Sequence, residues 1–250
     1  MTAAGNPIVV IPARMASTRL PGKPLADIHG APMIVHVWRR AVAAGVGPVV
    51  VACAEPEIAA AVKAAGGRAV LTRADHASGS DRVFEAVEAV DPNANHDLVV
   101  NLQGDLPSIE ADAVRAVLWP LADPAVEIAT LAAPLGRAEE ADDANVVKAV
   151  VSVAEGAASG RALYFSRAPV PWGAGGRFHH IGIYAYRRAA LAQFVTLSPS
   201  PLEARERLEQ LRALEHGMRI EVAFVDTIPL GVDTPADLER ARALLAPGRT

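Results

Sequence analysis

The first hundred residues alternate short runs of β-branched and aliphatic residues with alanine-rich stretches of helical periodicity, and this rhythm most limits the folds open to the chain. Residues 8–11 read as a buried strand. A helix is expected over 32–44, with Met33, Val37, Trp38 and Ala41 on one face and Gly45 where a C-terminal cap belongs. Residues 49–53 read as strand, and 55–65 as helix with Pro56 tolerated in its first turn. Strand over 69–72, helix over 81–90 and strand over 98–102 complete the series. Strands alternating with helices of about ten residues build βαβ units and a sheet covered on both faces. The expected fold class is therefore α/β, Rossmann-like, with a mostly parallel sheet and helices on both faces.

Beyond residue 121 the rhythm changes. Residues 127–132, 146–153, 162–165, 180–186 and 220–225 read as strands with little helix between them. Ser200-Pro201-Leu202-Glu203 has the form of a capping box with proline at the first helical position, and predicts one helix running to His216 ahead of Gly217. A last helix is expected over 235–245. No Gly/Ser-rich linker and no internal repeat divides the chain, so 1–250 reads as a single domain carrying an inserted mixed-strand lobe.

Composition narrows the chemistry. With 51% hydrophobic and 21% charged residues, the 250-residue chain is no disordered tail. Its 24 Lys and Arg against 28 Asp and Glu leave a net charge of −4, so it is a poor general binder of nucleic acid and any anion site must be a local cationic cluster. A single cysteine, Cys53, excludes an internal disulfide framework and reads as a small buried hydrophobe. Residues 1–6 lack a basic, then apolar, leader and no long apolar run follows, which predicts a soluble cytoplasmic protein without membrane insertion. There is no G-x-G-x-x-G after a strand, and Gly22-Lys23 is followed by Pro24, which breaks the P-loop pattern. Zinc-protease and nucleophile-elbow motifs are also missing. His36, His96 and His216 have no metal-ligand spacing, and Trp38 and Trp119 read as packing residues.

The most informative stretch follows the first strand. Between Ile8 and Ala26 lie Arg14, Arg19 and Lys23 and not one acid. Ligands of open parallel sheets bind beyond the carboxyl ends of the strands. Small residues there (Ala13, Ala16, Ser17, Gly22) let backbone amides approach an anion, while arginine offers a fork for phosphate. The loop reads as a phosphate site; the alternative is a solvated basic loop. Asp105, which follows the strand 98–102 through Gln103-Gly104, would face the same crevice, as a magnesium ligand beside substrate phosphates or as a turn-forming residue before Pro107. Asp233 precedes Thr234-Pro235-Ala236-Asp237, where Thr234 is the natural helix cap. The Asp233 carboxylate is then spare, unless Asp233 itself caps. Ser80-Asp81 could cap the helix that follows or belong to a binding loop spanning Arg73 to Arg82. In the strand 180–184, His180 and Tyr184 share a face with Gly182 between them. That polar face with a gap suits a polyhydroxylated ligand, or is simply an exposed sheet face.

The run Pro12-Ala13-Arg14-Met15-Ala16-Ser17-Thr18-Arg19-Leu20-Pro21-Gly22-Lys23-Pro24-Leu25 resembles the nucleotide-binding signature of sugar-activating nucleotidyltransferases. It is most similar to that of the 3-deoxy-manno-octulosonate cytidylyltransferases. The likeness continues in family order through residues 72–82, 100–105, 164–169, 180–184, 208–212 and 231–235. It implies transfer of CMP from CTP to a 2-keto sugar acid, 3-deoxy-D-manno-octulosonate, with pyrophosphate released. Implied catalytic residues are Arg14, Lys23, Asp105 and Asp233, the two aspartates holding Mg²⁺. Implied nucleotide contacts are Pro12, Ala13, Arg14, Ser17, Arg19, Lys23, Arg73, Ser78, Ser80 and Gln103. Implied sugar contacts are Gln103, Arg167, His180, Tyr184, Glu209 and Gln210, with Arg167 suited to the substrate carboxylate. Residues 1–120 would form the nucleotide-binding half, 121–230 a sugar-binding and dimerisation lobe, and 231–250 the closing helix. The resemblance also implies a cytoplasmic homodimer serving lipopolysaccharide synthesis. Three departures stand out: Leu106 where the family usually has a glutamate, Ser80 where relatives often have threonine, and a short segment at 173–179. A cytidylyltransferase for another sugar acid such as sialic acid, or a catalytically silent nucleotide-binding protein, are the competing readings.

Overall fold

The structure is a computed structural model describing residues 5–136 and 139–248. The elements run β1 (Pro7–Ala13), β2 (Asp27–Ile28), β3 (Ala31–Pro32), α1 (Met33–Ala44), β4 (Val49–Cys53), α2 (Pro56–Ala64), β5 (Arg68–Leu71), α3 (Gly79–Val90), β6 (Leu98–Asn101) and α4 (Ala111–Ala116). They continue as β7 (Ile128–Pro134), α5 (Glu139–Asp142), β8 (Lys148–Ser152), β9 (Ser159–Ser166), β10 (Phe178–Arg187), α6 (Arg188–Thr196), α7 (Pro201–Glu206), α8 (Gln210–Glu215), β11 (Ile220–Phe224) and α9 (Pro235–Leu244). Two compact units result: Gly5–Arg115 with the segment from Pro229 onward, and the stretch Ala116–Ile228.

In the unit formed by Gly5–Arg115 and the segment from Pro229 onward, strands run in the order β5-β4-β1-β6 with each of these pairings parallel, while β2 and β3 form a separate antiparallel pair. Ile8 to Ile11 and Leu98 to Val100 are all at most 1% exposed, as expected of parallel strands buried on both faces. Helix α1 buries Met33, Val37 and Ala41 and ends at Gly45, left-handed at φ 65°, whose N–H bonds the Val42 carbonyl. Cys53 is fully buried, and burial raises its thiol pKa to about 11. A second small core gathers Ile28, Met33, Val232, Leu238 and Ala241, and so draws the last helix onto the region following β1.

The other unit departs from the mostly parallel expectation. Its strands run β10-β7-β11-β9-β8, and only the pair β7–β11 is parallel. For β8 and β9 the cause is connection length: only a short turn separates them, and strands so joined pair antiparallel, since a parallel pair needs a crossover of a dozen or so residues. The helix expected over 200–216 is also two helices. Arg207, at φ 55° and ψ 48°, ends α7, and Glu203 reaches past the break to bond Arg212 at 2.8 and 2.5 Å. Trp119, read as packing, is 42% exposed. Among the described residues no helix is long and apolar enough to cross a membrane.

Candidate active site

A pocket of about 690 Å³ opens beyond the carboxyl ends of β1 and β6, within the unit formed by Gly5–Arg115 and the segment from Pro229 onward. Pro12, Ala13, Arg14, Ser17, Arg19, Lys23, Ser78, Gln103, Asp105 and Asp233 all line it. The cationic loop is folded on itself: the Gly22 N–H bonds Met15 O and the Lys23 N–H bonds Leu20 O. Glu55 holds it from below, accepting from the Met15 N–H at 3.1 Å. Gly104 places the turn after β6 against β1. A Cβ there would lie 2.8 Å from the Pro12 carbonyl oxygen, a distance that side chains do not tolerate.

At the pocket wall, Lys23 Nζ donates to Asp105 Oδ2 at 2.8 Å and to Asp233 Oδ1 at 3.1 Å, while Arg19 Nη2 lies 3.0 Å from Asp233 Oδ2. Although burial alone would lower the Lys23 pKa, the two carboxylates outweigh it and raise that pKa above its ordinary value. The ammonium therefore stays charged. Asp233 arrives here because the Val232 N–H bonds the Asp105 carbonyl at 3.0 Å and Val232 packs in the small core. Thr234 caps α9 in a reciprocal box: its Oγ1 accepts from the Asp237 N–H, and Asp237 Oδ2 accepts from the Thr234 N–H. The Asp233 side chain is thus spare, as the capping argument expects.

These residues suit a divalent ion. Two carboxylate oxygens already converge on one cationic group, and among the described residues no cluster of three or more His, Cys, Asp or Glu offers a complete protein cage. Mg²⁺ is commonly held this way, by one or two carboxylates with substrate phosphates and water completing its shell. Leu106, beside Asp105, is 9% exposed and packs as an apolar residue, so it supplies no further ligand.

The 73–82 segment differs in detail from expectation. The cap of α3 is Ser78, not Ser80: Ser78 Oγ accepts from the Asp81 N–H at 3.2 Å. Ser80 is buried inside the first turn at 2% exposure and does not line the pocket. Arg73 is paired with Asp75 on the surface and is likewise outside the lining. The cation that does line it is Arg82, 2% exposed, donating to Thr72 Oγ1 at 2.6 Å. Burial lowers its pKa although Glu55 and Glu85 act the other way, so an anion at the pocket would favour its charged form. His76, paired with Glu85, lines the pocket too. Neither stood out from its own position in the 73–82 segment, because an arginine with Glu85 one turn later resembles a solvated helical pair.

The expected sugar contacts other than Gln103 belong to the second unit. In β10, a register shift against β7 falls between Ile181 and Tyr184, and an added Cβ at Gly182 would meet nothing within 4 Å. Thr130 sits behind the bulge, its hydroxyl 2.8 Å from the Ile183 carbonyl, 3.2 Å from that of Ile181 and 3.0 Å from His180 Nε2. A hydroxyl has one proton; given to a carbonyl, it leaves Nε2–H of His180 as donor and Nδ1 as acceptor. Burial drives the His180 pKa down to about 3 and that of the Tyr184 phenol well up, so both rings stay neutral. Their centroids are 5.6 Å apart. Gln210 is 6% exposed and its Nε2 has no hydrogen-bond partner among the described residues. Glu209 lies at the start of α8, 3.9 Å from Arg212. Arg167 follows β9, its guanidinium held by backbone carbonyls.

A parallel α/β unit whose first strand opens into a cationic loop facing two carboxylates defines a nucleotidyltransferase, and the family model described as cytidylyltransferase matches residues 8–220. The chain is 68% identical over 248 residues to the 3-deoxy-manno-octulosonate cytidylyltransferase of Rhodospirillum centenum, covering 99% of this chain and 96% of that protein. It therefore belongs to the 3-deoxy-manno-octulosonate cytidylyltransferase family. Identity to the protein of the same name from Paramagnetospirillum magneticum is 64% over 240 residues, covering 96% and 98% of the two chains. The solved structure of CMP:2-keto-3-deoxy-manno-octonic acid synthetase complexed with CTP is similar at a TM-score of 0.89 and 44% identity, over 96% of this chain and 98% of that one.

Proposed function

We propose that the chain transfers CMP from CTP to 3-deoxy-D-manno-octulosonate, releasing pyrophosphate, as a cytoplasmic homodimer that supplies activated sugar for lipopolysaccharide. The observation that carries the reading is the convergence of Asp105 and Asp233 on Lys23 inside a pocket lined by the cationic loop. The C2 hydroxyl of the sugar acid attacks the α-phosphorus, an O–P bond forms, and the bond to the pyrophosphate oxygen breaks. Such chemistry rests on positioning and charge neutralisation, not on a protein nucleophile.

Arg14, Arg19 and Lys23 bind the phosphates, with Lys23 passing from the carboxylates to the triphosphate as it enters. Asp105 and Asp233 then hold Mg²⁺, which when bound offsets phosphate charge and lowers the pKa of the incoming hydroxyl. Gln103, Ser78 and the 73–82 segment face base and ribose. Arg167 pairs with the sugar-acid carboxylate, and Glu209, Gln210 and the neutral rings of His180 and Tyr184 bind hydroxyls. Gln210 supports this through its buried amide lacking a partner, since such a group is costly unless a ligand satisfies it.

The test is pyrophosphate release with CTP, Mg²⁺ and the octulosonate, beside controls omitting each and exchanging CTP for UTP, GTP or ATP. Release that requires all three and falls away with the other nucleotides is expected. No release under any pairing, or preference for sialic acid, overturns the assignment.

A further inference from the structure

We propose that Glu206 and Lys148 are positioning residues that hold the Arg167 guanidinium in place, without a direct ion pair, for the carboxylate of the sugar acid. The proposal rests on the reading of Arg167 as the partner of that carboxylate. Arg167 Nε donates to the Glu206 carbonyl at 2.9 Å and Nη1 to the Ala144 carbonyl at 2.8 Å. Two neutral acceptors thus fix the plane of the fork. Among the described residues no carboxylate lies within 4.0 Å of the guanidinium and Nη2 has no hydrogen-bond partner, so its charge and one edge stay available for a planar anion.

The nearest acid is turned to another task. Glu206 Oε2 accepts from the Arg167 N–H at 3.0 Å, and Oε1 accepts from Ser166 Oγ at 2.8 Å. The carboxylate pins the backbone of Arg167 and makes no direct ion pair with the guanidinium, on which it acts only through space. The Glu206 carbonyl is free to take Nε because the helix stops there. In an unbroken helix it would accept from the N–H of Gln210, but Arg207 adopts a left-handed conformation that is strained for a residue with a Cβ.

Lys148 ties the same arrangement from beneath. It is fully buried, and Nζ donates to the Asp143 carbonyl at 2.9 Å and the Arg167 carbonyl at 2.7 Å. It therefore links the loop that supplies the Ala144 acceptor to the residue that uses it. Burial lowers the Lys148 pKa although Asp143, Asp142 and Glu206 act on it through space, and a buried amine with no direct ion pair is an expensive way to fill space. What it adds is the cross-link.

Steady-state kinetics of the full chain, with CTP and the octulosonate varied separately, test this. Glu206→Gln keeps shape but exchanges an acceptor oxygen for a donor nitrogen. A misplaced charged group raises the KM for the octulosonate by about 10- to 100-fold while the KM for CTP stays within about two-fold. Lys148→Met is expected to act in the same direction. In an Arg167→Met background Glu206→Gln should add nothing, because both changes remove one interaction. Should Glu206→Gln fail to fold, Ser166→Ala, which removes one hydroxyl from Glu206, should show a smaller rise in the same KM. If Arg167→Met leaves the octulosonate KM unchanged, the reading beneath the proposal is wrong. If Arg167→Met raises it but the Glu206 and Ser166 variants do not, or if they raise both KM values together, the positioning role is overturned. An unchanged octulosonate KM in Lys148→Met removes Lys148 from it.

Discussion

One ammonium between two carboxylates sets the electrostatics of the pocket, and it separates the function of Asp233 from the stability of the helix beside it. Thr234, not Asp233, carries the cap. Asp233→Asn is therefore expected to lower turnover on the order of 10²–10³-fold with little change in melting temperature, as pyrophosphate release and a thermal melt would show. Turnover within a few-fold of the parent would remove Asp233 from the metal site. His180 makes a prediction of a different kind. Its folded pKa is about 3 against an ordinary 6.5, so below pH 6.5 the unfolded chain takes up a proton that the folded chain refuses. Stability falls as pH drops through that window. Glu203, Glu206 and Asp237, whose pKa values are held below the ordinary carboxylate range, add acid lability only further down. Urea midpoints at pH 7 and pH 5 should differ less in His180→Gln than in the parent; an equal drop would refute the assignment. A remainder is expected from His179, whose pKa burial also lowers.

Among elements, α9 shows how a local motif serves a distant site. Its cap at Thr234 was legible from the local sequence, and the structure forms it, with Asp237 closing a reciprocal box. Asp237 Oδ2 also accepts from the Asp233 N–H at 3.3 Å, so the box aims the aspartate as well as the helix. Thr234→Ala should cost about 1 kcal/mol of stability in a denaturant titration, and should lower turnover by more than that destabilisation would by itself. α7 and α8 teach the opposite lesson. Nothing in the stretch 200–216 carries a glycine or proline at the break, so periodicity reads through it. The interruption at Arg207 is held by contacts made elsewhere, Glu203 with Arg212 and Arg167 with the Glu206 carbonyl.

For the whole molecule, the described pocket lies entirely within the unit built from Gly5–Arg115 and the segment from Pro229 onward. A ligand bound to the folded state alone stabilises it by about 2.7 kcal/mol at a hundred times its Kd. CTP with Mg²⁺ should therefore raise the melting temperature, and chelation of the metal should remove most of that rise. A shift indifferent to chelation would mean that the carboxylates do not act through a metal. Which residues meet at the pocket was readable along the chain: the acid-free cationic stretch, the aspartate after a strand and the spare aspartate before a capped helix all stand in local patterns. The parallel unit was readable for the same reason, since hydrophobic periodicity and caps act over a few residues. Strand direction in the second unit, the exchange of Arg73 for Arg82 at the pocket, and the meeting of Lys23 with a carboxylate 210 residues away were decided by the tertiary structure. Those outcomes depend on which buried surfaces pack together and which polar groups burial leaves in need of partners, and no window of sequence contains both sides of such a contact.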